Sequence, residues 1–346
     1  MLLLAPIQLV VMSKHVNVNM VTWNAALYLP ACLESLKSQS YKDWSLFVID
    51  NGSTDGTLGL IKKALPQTEI LCHKKNTGFA PAHNEALRRT KGDYILLLNQ
   101  DIVLHKDFLK NAAAFLEKNK KAGALQPKLI RYDFKNLKSL GIIDTTGLLM
   151  YKSRRIVNRG QGQIDKNQFK AGEVFGADGA APVYRRAALD DVALKIGDKL
   201  EYLDEDFFSY KEDVDLAWRL RLAGWQAFYE PTVKGFHGRG SGDAASTNPL
   251  EIVKERRKIS GFAKTLSWRN QRLMQIKNEL WPLLFIHLPW FLVKELAAWA
   301  YIFVFEPQTV VSLPKFFKQI PKAFEKRHLI MAKRRANFES MSPWFI

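Results

Sequence analysis

Cysteine is nearly absent from this chain of 346 residues: Cys32 and Cys72 stand alone, with neither the number for a disulfide framework nor the spacing of a cysteine metal site. A reducing compartment fits that scarcity. No uncharged run between charged residues is long enough for a straightforward bilayer span; Leu280 to Val293 holds only 14 residues where about 20 are needed. The G-x-G-x-x-G turn of dinucleotide-dependent oxidoreductases is missing after the first apolar strand, where VTWNA (Val21 to Ala25) stands instead, and that class is excluded. Internal repeats, zinc-finger spacing, a basic recognition helix and an RNA-binding aromatic signature are all lacking, which argues against a nucleic-acid partner.

Acidic residues are the minority. There are 34 against 51 Lys and Arg, a net charge of +17, so an anionic partner is expected. Residues 251–346 carry 17 Lys and Arg against seven Asp and Glu, and their basic segments alternate with apolar and aromatic ones. That pattern points to an anionic membrane surface and to a helical, membrane-associating tail. Pro282 and Pro289 interrupt the apolar run, and Lys294 and Glu295 separate it from Leu296 to Phe305. A span would bury that ion pair at mid-membrane, so an in-plane or re-entrant anchor is expected, with Lys315 to Arg335 lying on the surface. The alternative is a helical subdomain that packs its apolar face on the core. At the other end, residues 1–14 form an apolar leader without a basic start or cleavage site. Met12 lies just before the first strand, which suggests a misassigned start, with a frayed segment as the alternative.

An apolar fraction of 47% is enough for a full core. Apolar runs at His15–Trp23, Leu46–Asp50, Glu69–His73 and Tyr94–Leu98 read as strands. Helical periodicity occupies Leu27–Ser38, Leu58–Leu65 and Pro81–Arg89. This alternation predicts an α/β fold, a mostly parallel sheet flanked by helices. A helix at Phe108–Lys118 follows, then a polar stretch, Lys152–Lys170, that reads as a mobile loop. Glu173–Tyr184 is strand-like, and a last strand is expected at Gln226–Tyr229 before the glycine-rich Gly235–Asp243.

Ligands of such sheets bind at the carboxyl ends of the strands, where Thr22, Asn24, Asp50 to Asp55 and Asn99 to Asp101 fall. Asp50 suits a nucleobase N–H or ribose hydroxyl, or equally an Asx turn with Asn51-Gly52. Asp101, ending a buried strand, is placed to hold a divalent metal on a diphosphate. His237 suits a second ligand or a structural role. The densest acidic stretch is LDEDFFSYKEDVDLAWRLRLAGW, Leu203 to Trp225. Glu212, Asp213 and Asp215 fall at a helix start, where the dipole favours them, and Asp215 with Arg219 has the spacing of a surface ion pair. So many like charges need a cation, a proton or a substrate hydroxyl among them.

Together VTWNA, VIDNGSTDGT, NTGFAPAHNEAL, LLLNQD, GADGAAPVYRR, the acidic helix and the late His237 resemble, in order and spacing, family 2 glycosyltransferases of the bacterial rhamnosyltransferase type. The resemblance runs from about Val16 to Asn278. It implies a GT-A fold, Rossmann-like, over residues 15–250, and Mg²⁺ or Mn²⁺ as cofactor. It further implies an inverting transfer from a nucleotide-sugar donor, dTDP-rhamnose at family level, to a glycan or polyprenyl-linked acceptor. Cell-surface polysaccharide synthesis on the cytoplasmic side of the membrane would be the setting. Mapped onto these motifs, Asp213 is the general base, with Glu212 raising its proton affinity. Thr22, Asn24, Asp50 and Asp55 line the nucleoside pocket, with Asn76, Gly78 and Asn84 on the adjacent wall. Gly176, Ala177 and Asp178 lie near donor sugar and acceptor, and Asp101 and His237 hold the metal. In this triplet Asn99-Gln100-Asp101 departs from the more acidic family form, leaving one carboxylate. The competing reading is a catalytically silent, membrane-bound nucleotide-sugar scaffold.

Overall fold

The computed structural model describes residues 14–238 and 248–346. Residues 1–13, with the expected leader and start at Met12, and 239–247 of the glycine-rich run lie outside the described residues.

Apolar β-branched runs separated by short amphipathic helices build the first half. These are β1 (Val16–Thr22), α1 (Leu29–Lys37), β2 (Trp44–Asp50), α2 (Thr57–Ala64), β3 (Glu69–Cys72), α3 (Phe79–Arg89) and β4 (Tyr94–Asn99). The helix expected from Pro81 begins two residues earlier, at Phe79. β1 pairs in parallel with both β2 and β4, and β2 with β3, so Thr22, Asp50 and Asn99 share one edge.

Next come β5 (Ile102–Leu104), α4 (Phe108–Lys118), β6 (Ala122–Asp133), β7 (Lys138–Thr145), β8 (Leu148–Met150), β9 (Ile156–Asn158), β10 (Gly172–Val174) and β11 (Val183–Arg185). After them lie α5 (Arg186–Val192), β12 (Leu194–Ile196), β13 (Lys199–Glu201), α6 (Glu212–Leu222) and β14 (Gln226–His237). Among the described residues one ten-stranded sheet runs β10-β14-β6-β11-β4-β1-β2-β3, with β5 on β14 and β7 on β6. One face packs on α1 and α4 through Leu33, Leu36, Phe108 and Leu116. The other packs on α3, α5 and α6 through Leu87, Leu189, Leu216 and Leu220.

Three expectations change here. The strand expected to stop at Tyr229 continues to His237, because residues 234–237 re-register on β6 beyond a bulge and pair with β5. His237 therefore sits on a strand end, not in a flexible run. The expected mobile loop Lys152–Lys170 is tied down: it contains β9, and its Arg154 is fully buried against Glu279, with bonds of 2.7 and 3.0 Å. Glu173–Tyr184 divides into β10 and β11 with a turn between.

The last quarter is helical: α7 (Pro249–Arg257), α8 (Gly261–Asn278), α9 (Trp281–Ile286), α10 (Leu288–Phe305), α11 (Pro307–Val311), α12 (Leu313–Ala332) and α13 (Phe338–Met341). α8 and α12 do not stand apart. Trp268, Met274, Phe316, Ala323 and Ile330 share one core with Phe207, Val214 and Trp218 around α6. The subdomain alternative thus describes these two helices. α9 and α10 differ: Trp281, Phe285, Trp290, Val293, Leu296, Val304 and Phe305 lie exposed. Among the described residues α10 is the one helix long and apolar enough to cross a membrane, and it is mostly uncovered.

Candidate active site

A cleft of about 540 Å³ opens between the carboxyl edge of the sheet and α6–α8, and Asn99, Asp101, Asp178, Glu212, Asp213 and His237 all line it. Residues from four distant parts of the sequence meet here because β4, the β10–β11 turn, α6 and β14 end at the same place.

The acid pair is set by a contorted approach to α6. Phe208, Tyr210 and Lys211 adopt left-handed backbone angles, φ of 65°, 72° and 75°, each costing roughly 1–3 kcal/mol in a non-glycine residue. Buried Asn270 of α8 compensates. Its amide donates to the carbonyls of Phe207, Ser209 and Tyr210 at 3.0, 2.9 and 2.8 Å. Across the turn, Gly78 (φ 100°) admits the chain: a Cβ there would lie 2.6 Å from the Phe208 carbonyl oxygen. Gly78 therefore shapes the wall sterically.

Asp213 accepts from the backbone N–H of Gly179 at 3.0 Å and of Val214 at 2.8 Å. Burial, then the charge of Asp178, push its carboxyl up to about 6. Asp178 thus joins Glu212, the neighbour expected to raise it, as a like charge beside Asp213. Glu212 is itself raised, to about 8, by burial and then by the charge of Asp213, which favours its neutral form. Its buried Oε2 has no hydrogen-bond partner among the described residues.

Asp178 accepts from Asn158 Nδ2 at 3.0 Å, and its own N–H donates to Gln126 Oε1 at 2.7 Å. It lines the cleft. Gly176 and Ala177, expected beside it, do not: Ala177 is buried, and a Cβ on Gly176 would fall 2.2 Å from that of Ala217. The small residue at 176 lets α6 approach the sheet rather than a substrate approach the backbone.

On the opposite wall His237 Nε2 faces Asp101 Oδ2 at 3.4 Å, and its Nδ1 bonds Asp144 Oδ2 at 2.7 Å. Burial would lower the proton affinity of His237, but Asp101 and Asp144 overcome it and push it up to about 10. A metal-binding histidine that faces one carboxylate and is oriented by another has this arrangement. A nitrogen and an oxygen this far apart fit ligands on one ion about 2.1 Å from each. Asp144 was missed: 93 residues separate it from His237, and only the pairing of β6 with β7 and β14 brings them together.

The nucleoside candidates sit along the same edge but not in this cleft. Asp50 is buried and accepts from Thr22 Oγ1 at 3.1 Å, Ser53 Oγ at 2.6 Å and the Ser53 N–H at 3.0 Å, so the turn reading accounts for its bonds. Asn24 Oδ1 accepts from the Thr54 N–H, and Asp55 from the N–H groups of Ala26 and Thr57. Asn76 and Asn51 brace the Gly78 turn. Asn84 is buried and consumed by the Tyr202, Leu203 and Glu205 segment, and shapes the wall from beneath. Trp23, half exposed between Thr22 and Asn24, is clamped by Gln100, which accepts from its N–H and donates to its carbonyl. Its exposed ring in VTWNA was the available signal.

Glu201, Asp204 and Asp206 crowd within 4.8 Å, yet this is no metal site. Lys326 Nζ occupies it, 2.9 Å from Glu201, 2.6 Å from Asp204 and 2.8 Å from Asp206. Lys277 pairs with Asp204 and, at 2.7 Å, with Asp215. Burial would raise the proton affinity of Asp204, but the two ammonium groups hold it well below the usual carboxylate range. The Asp215–Arg219 pair, expected on the surface, is buried in the same network, because α8 covers it.

Comparison with known proteins identifies the family and the fold. The sequence model of glycosyl transferase family 2 matches residues 18–193. Poly-beta-1,6-N-acetyl-D-glucosamine synthase of Staphylococcus epidermidis is 28% identical over 233 residues, 64% of this chain and 51% of the synthase. The chain thus spans about half the length of that relative. A putative glycosyltransferase of Bacillus subtilis, EpsE, is 35% identical over 109 residues, 30% of this chain and 39% of that protein. Among solved structures, S. aureus TarS 1-349 in complex with UDP-GlcNAc superimposes with a TM-score of 0.54 at 18% identity, covering 92% of this chain and 88% of that one. GalNAc-T7 with UDP, GalNAc and Mn²⁺ gives 0.53 at 11% identity, over 78% and 52% of the two chains. At these identities the structural likeness speaks for the fold.

Proposed function

This chain belongs to glycosyl transferase family 2, and from that membership we propose that it is an inverting glycosyltransferase acting from a nucleotide-sugar donor on a glycan or lipid-linked acceptor in cell-surface polysaccharide synthesis. One observation carries the reading: a carboxylate of raised proton affinity, Asp213, shares a single cleft with the Asp101–His237 pair.

Asp213 takes the proton of the acceptor hydroxyl as that oxygen bonds to the anomeric carbon. The bond from this carbon to the donor diphosphate breaks, and its electron pair leaves with the diphosphate. A single in-line displacement inverts the configuration. With an affinity near neutrality, Asp213 is ionised at working pH and still basic enough to accept the proton. Glu212, pushed toward its neutral form beside it, limits the negative charge gathered in the site. Asp101 and His237 would hold a divalent ion, Mg²⁺ or Mn²⁺, whose chemistry is to neutralise charge on the departing diphosphate. Asp178 would face the donor sugar. Thr22, Asn24, Asp50 and Asp55, with Trp23 beside them, would meet the nucleoside through their edge positions, while Asn76, Gly78 and Asn84 hold the wall.

The name of the Staphylococcus epidermidis relative speaks of poly-N-acetylglucosamine synthesis, and the uncovered apolar face of α9 and α10 beside the basic α12 supports a peripheral position on the inner membrane face. The test is a thermal-shift and donor-hydrolysis screen of dTDP-rhamnose, UDP-N-acetylglucosamine and GDP-mannose, with and without Mn²⁺. Metal-dependent stabilisation with slow hydrolysis of one donor is expected, and it would name the sugar. Binding without hydrolysis or transfer would favour the silent scaffold.

A further inference from the structure

Five successive carbonyls, those of Asp206, Phe207, Phe208, Ser209 and Tyr210, lead the chain into α6. Each accepts from a distant part of the fold, as buried backbone groups outside regular structure must. Arg269 Nη2 reaches the carbonyls of Asp206 at 3.0 Å and Phe207 at 3.3 Å. The Ala80 N–H meets that of Phe208 at 3.1 Å, and the Asn270 amide takes Phe207, Ser209 and Tyr210. Arg269 Nε also donates to Asn270 Oδ1 at 3.0 Å, which turns the amide so that its N–H groups face the carbonyls. Both side chains are buried. Four of the five carbonyls thus depend on two adjacent residues of α8.

Such a grip is more than α6 needs to stay in place. Asp215 anchors that helix to Arg219 at 2.9 Å, Lys277 at 2.7 Å and Asn278 at 2.8 Å, and Arg221 Nε donates to the Phe175 carbonyl at 2.9 Å. These anchors lie two or more residues beyond Asp213. Glu212 and Asp213 open the helix, where N–H groups lack intrahelical partners and the backbone frays, so their placement follows the path of residues 208–211. Phe208, Tyr210 and Lys211 on that path are left-handed, and side chains there favour other angles. Freed from α8, the path relaxes. The first turn then swings the Asp213 carboxylate off the Gly179 N–H that now fixes it.

Resting on the glycosyl-transfer reading, we propose that Arg269 and Asn270 are positioning residues for transfer, which set the direction and the buried placement of the Asp213 carboxylate by gripping the carbonyls that lead into α6. Neither side chain is among those that line the cleft, so both act through the turn. The Asp101–His237 pair stands on the ends of β4 and β14, and donor binding there is independent of the grip.

The full chain with Mn²⁺ is assayed for hydrolysis of dTDP-rhamnose, UDP-N-acetylglucosamine and GDP-mannose, water standing in for the acceptor hydroxyl. The donor that the parent turns over is used throughout. Asn270→Leu is expected to lower kcat by about tenfold to a hundredfold, the scale of a small displacement of reacting groups, with donor Kd unchanged. Asp178, Glu212 and Lys211, the charged neighbours of Asp213, stay in this variant. The acidic limb of the pH–rate profile should still move to lower pH, because a base released from burial holds its proton less tightly. Tyr210→Gly places a residue that takes left-handed angles without strain, so Asn270→Leu should cost at least about threefold less in that background. An equal cost in both backgrounds, or an unmoved limb, overturns the positioning role and leaves two packing residues. A parallel loss of donor affinity also overturns it, by placing the damage in the donor site. Should Asn270→Leu fail to fold, Arg269→Lys must move the limb in the same direction, and a parental profile refutes the proposal. A parent chain that hydrolyses none of the donors overturns the transferase reading first, and this proposal falls as its consequence.

Discussion

Asp213 combines properties that a surface carboxylate lacks: two backbone donors fix its oxygens, and burial and Asp178 raise its proton affinity. Replacing it with Asn keeps the shape and removes the base, so transfer should fall by about 10²–10⁴ while nucleotide-sugar Kd is retained. Loss of donor binding would refute the assignment. Because a base must be unprotonated, the acidic limb of kcat/KM is expected near pH 6, with activity lost as pH falls through it. Asp178→Asn removes a like charge, so Asp213 holds its proton less tightly and the limb moves to lower pH. A pH–rate profile of both proteins measures the shift, and an immobile limb would dismiss Asp178 as its cause. The acid pair was legible because carboxylates stood at a helix start. Asp144 and Asn270 were not, since each acts across a separation that only tertiary pairing closes.

At the scale of elements, α6 depends on helices far along the chain. α8 supplies Asn270 to the contorted turn and Lys277 to Asp204 and Asp215, and α12 supplies Lys326 to three carboxylates. Lys326→Met leaves buried Glu201 without its ammonium partner, while Asp204 keeps Lys277 and Asp206 keeps Lys322, and breaking a buried pair typically costs about 3–5 kcal/mol. A urea midpoint measures this; a change within error would mean that water replaces the ammonium group. Hydrophobic periodicity revealed the parallel β/α half with ends nearly right. It failed on Lys315 to Arg335, where composition described a basic surface segment but nothing in it singled out Lys326 as the lysine that turns inward. It failed likewise on Lys152 to Lys170, whose polar sequence hides the buried pairing of Arg154 with Glu279.

For the molecule as a whole, the last quarter divides between two duties. α8 and α12 complete the core, while α9 and α10 leave an apolar surface outward with Lys315, Lys318 and Lys322 on nearby α12. Sedimentation with vesicles should show binding to anionic membranes that weakens with salt, and Val293→Asp with Leu296→Asp should abolish it. Indifference to these changes would remove α10 from the contact. Ending the chain at residue 250 should not release a soluble domain, because the removed helices carry Lys277, Asn270 and Lys326; limited proteolysis of such a fragment reads this directly.

The inward lysines also mean that the protein keeps two kinds of counter-ion. Those of the Asp204 cluster are tethered to the chain and cannot be diluted, exchanged or chelated. The one proposed for Asp101 and His237 is borrowed from solution and follows its supply. EDTA should therefore silence the cleft without softening the scaffold around it, leaving the melting temperature of the donor-free protein where it was. An enzyme wired in this way can be starved of metal and revived without ever unfolding.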